Sequence, residues 1–272
     1  VLFPGQLVPV LAGALFLSVP AKAQVVETVQ GWVQGNWSLT VGASTAIAPR
    51  YRGAAGSPAF FAQPIISLGR TGGRVAPFVS RNDNISFALV DTGMFRAGPV
   101  GRILFARDDS DRDLKGLGTV RWGGELGVFA DFYATSWLRL RGELRQGIRA
   151  HSGLVASGAV DAFWDVTPTL RLSGGPRITY ATESYFRSYF GVNAAQATAS
   201  GLSFYRPGSG LESVGFGGAL TWKATDRITT SLFAEYARLA GPAAASSLVK
   251  ERGGPDQYLI GISATYRFDF SM

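Results

Sequence analysis

Polar and apolar residues alternate along this chain in long runs and do not recur at helical spacing. From Tyr258 to Phe268, apolar side chains stand at every second position (Tyr258, Ile260, Ile262, Ala264, Tyr266 and Phe268), with Gly261, Ser263, Thr265 and Arg267 between them. Neighbouring side chains on a strand point to opposite faces, so this run has one apolar and one polar face. The register recurs upstream. Val120, Trp122, Gly124, Leu126, Val128, Ala130 and Phe132 oppose Arg121, Gly123, Glu125, Gly127 and Asp131, with Phe129 on the polar side. Leu138, Leu140, Leu144 and Ile148 oppose Arg139, Arg141, Glu143, Arg145 and Arg149, with Gln146 the one polar intruder. Leu170, Leu172, Gly174, Pro176, Ile178 and Tyr180 oppose Thr169, Arg171, Ser173, Gly175, Arg177 and Thr179. Long two-faced strands, the last ending in an aromatic residue near the C-terminus, are what a transmembrane β-barrel of the outer-membrane type requires.

The pattern predicts an all-β, antiparallel transmembrane β-barrel of about 12 strands. The spans are 36–46, 58–69, 74–80, 84–91, 97–107, 118–133, 136–150, 153–165, 168–181, 213–224, 227–240 and 256–268. The third and fourth are short and weakly patterned, so a ten-strand wall is the smaller alternative. With the N-terminus in the periplasm, the short connections 134–135, 166–167 and 224–226 fall inside, and the long loops 48–57, 108–117, 182–212 and 241–255 fall outside. That asymmetry suits an outer-membrane barrel. Trp137, Trp164, Trp222 and Tyr133 then form an inner girdle, with Trp122, Tyr180 and Tyr258 in an outer one. A periplasmic β-sandwich is the soluble alternative, but its strands are usually shorter.

The N-terminus adds a compartment. Leu7 to Val19 is an apolar run followed by Pro20-Ala21-Lys22-Ala23-Gln24, which reads as a secretory signal cleaved after Ala23. The run falls short of the roughly 20 residues a membrane helix needs. This gives a signal peptide over 1–23 and one barrel domain over 24–272, in the outer membrane of a Gram-negative bacterium. The absence of cysteine excludes disulfides, thiol nucleophiles and thiolate metal sites. A net charge of +7 would raise nucleic-acid binding in a chain without this pattern. Here the arginines fall on polar strand faces, so no nucleic-acid partner is expected. Arg121, Glu125, Arg139, Arg141, Glu143, Arg145, Arg171, Arg177, Glu235 and Arg267 are the expected lumen charges. They either pair with carboxylates, Asp131, Asp161 and Asp165 among them, or leave a cationic lumen or rim for anions or the phosphates of lipopolysaccharide.

Catalytic patterns are sparse. The single histidine, His151, neighbours Ser152 near a strand end, but adjacent strand residues face apart, so a solvated rim histidine is expected. Asp108, Asp109, Asp111 and Asp113 lack the spacing of a calcium loop and are offset by Arg107, Arg112 and Lys115. Gly215-Phe216-Gly217-Gly218 has no following Lys-Ser/Thr and reads as relief of crowding in a curved wall. No cofactor or metal site is expected. The long loop from Thr182 to Glu212 is the candidate functional element. Tyr185, Phe186, Tyr189, Phe190, Phe204 and Tyr205 suffice either for a plug or for a binding loop, and Ala194-Ala195-Gln196-Ala197 suggests a helical turn.

Within that loop, Tyr189-Phe190-Gly191-Val192, Gln196, Ser200-Gly201-Leu202, Tyr205 and Gly210-Leu211 resemble the family of the MltA-interacting protein and OmpV. Pro49, Tyr51 and Gly53, then Leu114, Gly116, Leu117 and Gly118, and Tyr236, Leu239 and Gly241 extend the likeness from about Trp37 to Phe268. Tyr189, Phe190, Gly191, Val192, Gln196, Gly201 and Tyr205 are accordingly the candidate functional-loop residues. The resemblance implies a non-enzymatic outer-membrane protein that holds a murein lytic transglycosylase together with a murein synthase, a penicillin-binding protein. Members named for OmpV are described as porin-like or surface proteins, so a narrow channel for small solutes is the alternative. Where the family often has two acidic residues in the last outer loop, this chain has Gly241-Pro242-Ala243-Ala244-Ala245-Ser246-Ser247, and four residues, Asp269 to Met272, follow the Tyr-Arg-Phe ending.

Overall fold

The computed structural model describes residues 34–56, 58–70 and 83–271. The expected signal sequence, the segment 24–33 and the strand expected at 74–80 lie outside these residues. Twelve strands form one sheet: β1 (Asn36–Pro49), β2 (Pro58–Arg70), β3 (Ile85–Phe87), β4 (Val90–Asp91), β5 (Phe95–Leu104), β6 (Gly123–Thr135), β7 (Leu138–Ile148), β8 (Leu154–Asp165), β9 (Leu170–Ala181), β10 (Gly210–Lys223), β11 (Ile228–Leu239) and β12 (Asp256–Ser271).

The sheet closes on itself. β1 is paired with β2 on one side and with β12 on the other, and β3 joins β2 to β5, so eleven strands make the ring and β4 lies beside β5 as an extra strand. The wholly antiparallel arrangement needs one correction. β2 and β3 run parallel, through Ser67 with Ser86 and Leu68 with Phe87. An odd ring cannot alternate direction throughout, so one neighbouring pair must be parallel, and the chain places it at its shortest ring strand. The two strands bordering this joint, β2 and β5, each contain an internal proline, Pro64 and Pro99. Proline lacks an N–H and is tolerated where a ladder is incomplete.

Burial is inside out relative to a water-soluble protein. Leu126, Val128, Ile260 and Ile262 are 60–61% exposed, whereas Arg139 and Asp161 are 0% and Glu125 and Asp131 1% exposed. β7 alternates exposed Leu140 and Leu144 with buried Arg141, Glu143 and Arg145 over its whole length. An apolar exterior with every backbone group held in a closed ladder is what a lipid phase demands of a strand protein. Gln146, on that exterior, donates its amide to the carbonyl of Ser152 at 2.7 Å. Tyr133 does not join the girdle: it is 2% exposed, inside, against Phe163. Phe129 is also interior, packed with Ala88 and Val100 and stacked under Arg141 at 4.3 Å.

The four long loops fold together into a cap over one end. The loop between β9 and β10 carries α1 (Glu183–Tyr189) and α2 (Ala194–Ser200), and the loop before β12 carries α3 (Gly241–Ala245) and a π turn at Leu248–Arg252. Tyr185, Phe186, Phe190, Leu239, Ala243 and Val249 make one apolar cluster with Val155 and Ala181 of the wall. Tyr51, Ala54, Leu114, Leu117, Val192, Leu202 and Leu248 make a second, between the loops themselves.

Candidate functional site

The charges spaced by two along β7 all enter the lumen, because period-two alternation places Arg139, Arg141, Glu143 and Arg145 on its inner face. There they interlock with facing strands. Arg139 binds Asp161 of β8, its cross-strand partner, and Asp83, whose Oδ2 lies 2.6 Å from Nη1. Arg177 of β9 also donates to Asp161. Arg141 donates to Asp131 of β6 at 3.0 Å and to Glu143 at 2.7 Å. Arg145 donates to Glu143, to Glu125 at 2.7 Å and to Ser157 Oγ at 2.9 Å. Asn84 donates to Glu143 at 2.7 Å. Four guanidiniums and five carboxylates thus form one connected cluster, every member of which is nearly or wholly removed from solvent except the partly buried Arg177.

His151 ends this chain of contacts at the cap. Its side chain is wholly buried, which corrects the solvated-rim expectation. The Gly153 amide donates to Nδ1 at 3.1 Å, which leaves the ring proton on Nε2 to donate to Glu125 at 3.1 Å. Ser152 is exposed and has turned away. Tyr185 and Tyr189 meet the imidazole edge-on at 5.1 and 5.7 Å. Tyr185 donates on to Glu212 at 3.4 Å, and Glu212, fully buried, accepts three bonds from Arg52 of the first outer loop, one from Nε at 2.8 Å and one from Nη2 at 2.5 Å among them. Burial raises the Tyr185 pKa, with the Glu212 charge adding to it. Burial opposes the charge on Arg52 as well, but Glu212 outweighs it and holds that guanidinium protonated.

The candidate loop residues are cap construction. Gln196 completes a capping box with Asn193 and reaches Leu117 O at 2.5 Å, and Gly201 ends α2 in the left-handed region at φ 76°. Val192 and Tyr205 form a backbone bridge, and the Tyr205 hydroxyl donates to Pro242 O at 2.9 Å. Phe190 is fully buried, and its carbonyl accepts from Ser246 Oγ at 2.6 Å. Gly191 sits where a Cβ would come 2.8 Å from Arg187 O. The carbonyl of Tyr189 accepts from Arg107 at 2.7 Å. Arg107 has its pKa lowered by burial, and the C-terminal carbonyls of α1 supply its counter-dipole.

The remaining expected lumen charges lie elsewhere. Arg171 pairs with Asp165 and Arg267 with Asp269, both at the end opposite the cap. Glu235 is half-buried on the inner face of β11. Arg121, against expectation, stands exposed beyond the start of β6 and outside the cluster. Asp83, Asn84, Arg52 and Glu212 were not legible as site residues. None lies in an alternating run that assigns it a face. Asp108 and Asp111 serve turns: Asp108 accepts from the Ser110 amide, and Asp111 caps the 3-10 turn Arg112–Leu114 and pairs with Arg50.

Residues 41–268 match the family described as MltA-interacting protein MipA. The chain belongs to the MipA family. No curated protein sequence matches this MipA-family chain. Among solved structures, Neisserial surface protein A is 8% identical, covering 86% of this chain and 100% of its own at a TM-score of 0.30. The attachment invasion locus protein Ail of Yersinia pestis is 11% identical, covering 86% and 99% at 0.26. OprG from Pseudomonas aeruginosa is 9% identical, covering 86% and 96% at 0.27. At such scores the barrel reading of the MipA-family chain rests on its own closed ladder and apolar exterior.

Proposed function

We propose that this MipA-family barrel is a closed scaffold of the outer membrane, non-enzymatic and non-conducting, that holds a murein lytic transglycosylase together with a murein synthase of the penicillin-binding class. The observation that carries the closed part is the interior itself. The arginines that would select anions in a pore, Arg139, Arg141, Arg145 and Arg177, are each engaged by carboxylates, and a packed cap covers one mouth. The family is described as MltA-interacting, and the pairing of a lytic transglycosylase with a synthase is what the resemblance implies. Murein lies on the side of the short turns, so such partners would meet 134–137, 165–169 and 223–227; residues 24–33 lie outside the described structure, and the part expected of 24–36 rests on the sequence alone. The competing reading, a narrow channel for small anions, needs the same arginines free.

Crosslinking of the tagged protein in its native envelope, followed by mass spectrometry, tests the scaffold. A lytic transglycosylase or penicillin-binding protein that disappears when residues 24–36 are replaced is the expected result. Recovery of lipopolysaccharide and assembly machinery alone overturns it. In planar bilayers, the purified barrel should show no stable open level, and an anion-selective level would favour the channel.

A further inference from the structure

β7 does not simply stop after Ile148. The Ala150 amide donates to the Ile148 carbonyl at 2.9 Å, closing a three-residue turn around Arg149, whose φ of 71° is the one positive value at a non-glycine among the described residues. This is the γ-turn of the strained hand, a conformation that glycine adopts without penalty and other residues resist. Gly123 on β6 lets it form, since a Cβ there would stand 2.3 Å from Ile148 O and 2.5 Å from Ala150 N.

The strained turn shifts the alternation of the strand. Arg149 would otherwise follow Arg145 and Gly147 into the lumen. Instead it is exposed, while Ala150 and His151 are buried. Its guanidinium lies over the ring of Trp122, 4.1 Å from the centroid, and Trp122 is itself 59% exposed on the same face as Leu126 and Val128. A stacked guanidinium keeps its edge N–H donors free for a planar or tetrahedral anion. Among the described residues no carboxylate pairs with Arg149 or with neighbouring Arg121. In contrast, Arg50, Arg171, Arg187, Arg238 and Arg267 each face one. Strain retained at an exposed, unpaired cation points to a ligand.

The position says which ligand. Trp122 and Ile148 end the lipid-facing rows of β6 and β7 at the cap end, the level at which interfacial tryptophans sit. An occupant there has its apolar part beside Leu126 and Ile148 and its charge beside Arg149. We infer that Arg149, stacked on Trp122, binds the phosphate of an acylated, phosphorylated sugar of the outer leaflet, the lipid A part of lipopolysaccharide. This rests on the cap end facing outward and is independent of the murein partners.

The test is native mass spectrometry of the detergent-solubilised barrel with lipid A, dephosphorylated lipid A and phosphatidylglycerol. Arg149→Gly is the informative variant, because glycine suits the turn. It should stay folded, migrating as a heat-modifiable band at least as heat-resistant as wild type, while retained lipid A falls about tenfold. Arg149→Lys should fall between. Dephosphorylated lipid A should bind wild type and variant equally weakly. Undiminished lipid A on Arg149→Gly overturns the site, and equal retention of phosphatidylglycerol by wild type overturns the assignment to lipid A. Loss of the heat-modifiable band from wild type itself would instead sink the barrel reading.

Discussion

Arg139→Met probes whether the lumen is sealed. Arg139 is fully buried, and its guanidinium serves three carboxylates: Asp83 at 2.6 Å, Asp161 at 2.5 Å and Asp131 at 3.8 Å. Methionine keeps much of the volume and removes the charge. Asp131 still has Arg141 and Asp161 still has Arg177, while Asp83 loses its short contact and retains Arg141 at the longer distance of 3.8 Å. The cluster is left with five carboxylates against three guanidiniums. Removing one partner of a buried pair costs about 3–5 kcal/mol, because the stranded charge has neither water nor counter-ion. Adding Asp83→Asn and Asp161→Asn removes the stranded charges and should restore most of that stability. Urea unfolding from lipid vesicles, followed by tryptophan fluorescence, measures all of these. A single variant within about 0.5 kcal/mol of wild type would mean that water reaches the cluster, and the closed-lumen argument would fail with it.

Three further outcomes are expected. Ile262→Arg, on the lipid face, should cost roughly 2–4 kcal/mol and block assembly into the membrane, read as loss of the heat-modifiable band, whereas Arg267→Ala near the rim should be mild. Gln196→Ala removes the α2 capping box and the clamp on Leu117, so the cap should become cleavable by added protease at concentrations that leave wild type intact, a loosening of about 1–3 kcal/mol. Burial, with Asp113 and Asp111 adding to it, pushes the Tyr51 phenol up to about 12. The folded cap therefore holds that proton more tightly than the unfolded chain does. Its contribution is complete below about pH 10 and is lost as pH rises towards 12, so protease resistance should fall over that window, less so in Tyr51→Phe.

Where a strand has lipid on one face and charge on the other, its extent and facing could be read directly. β7 and β12 were legible because two solvents of opposite demand act on alternate residues. β3 was not, because three residues carry no period, and its direction is set by closure of an odd ring. Likewise, the aromatic richness of 182–212 allowed a plug or a binding loop, and the sequence did not show that Tyr185, Phe186 and Phe190 pack into a cap. His151 was misplaced for a local reason. The turn at Arg149 shifts the alternation by one, and nothing in the sequence around an arginine announces a positive φ. Arg52 and Glu212 are 160 positions apart and meet only through the cap.

The parallel joint has a consequence for how the wall yields. β1 and β12, the first and last described strands, share twelve registered pairs, while β2 and β3 share two. The cylinder is therefore stitched most loosely around β3, which shares two registered pairs with each of its ring neighbours, and not where β1 meets β12. Strands would part first around β3, at pairs such as Leu68 with Phe87, leaving the β1–β12 ladder intact. Amide exchange should be fastest there, and a crosslink across this pair would raise the force needed to unzip the barrel more than the same crosslink between β1 and β12.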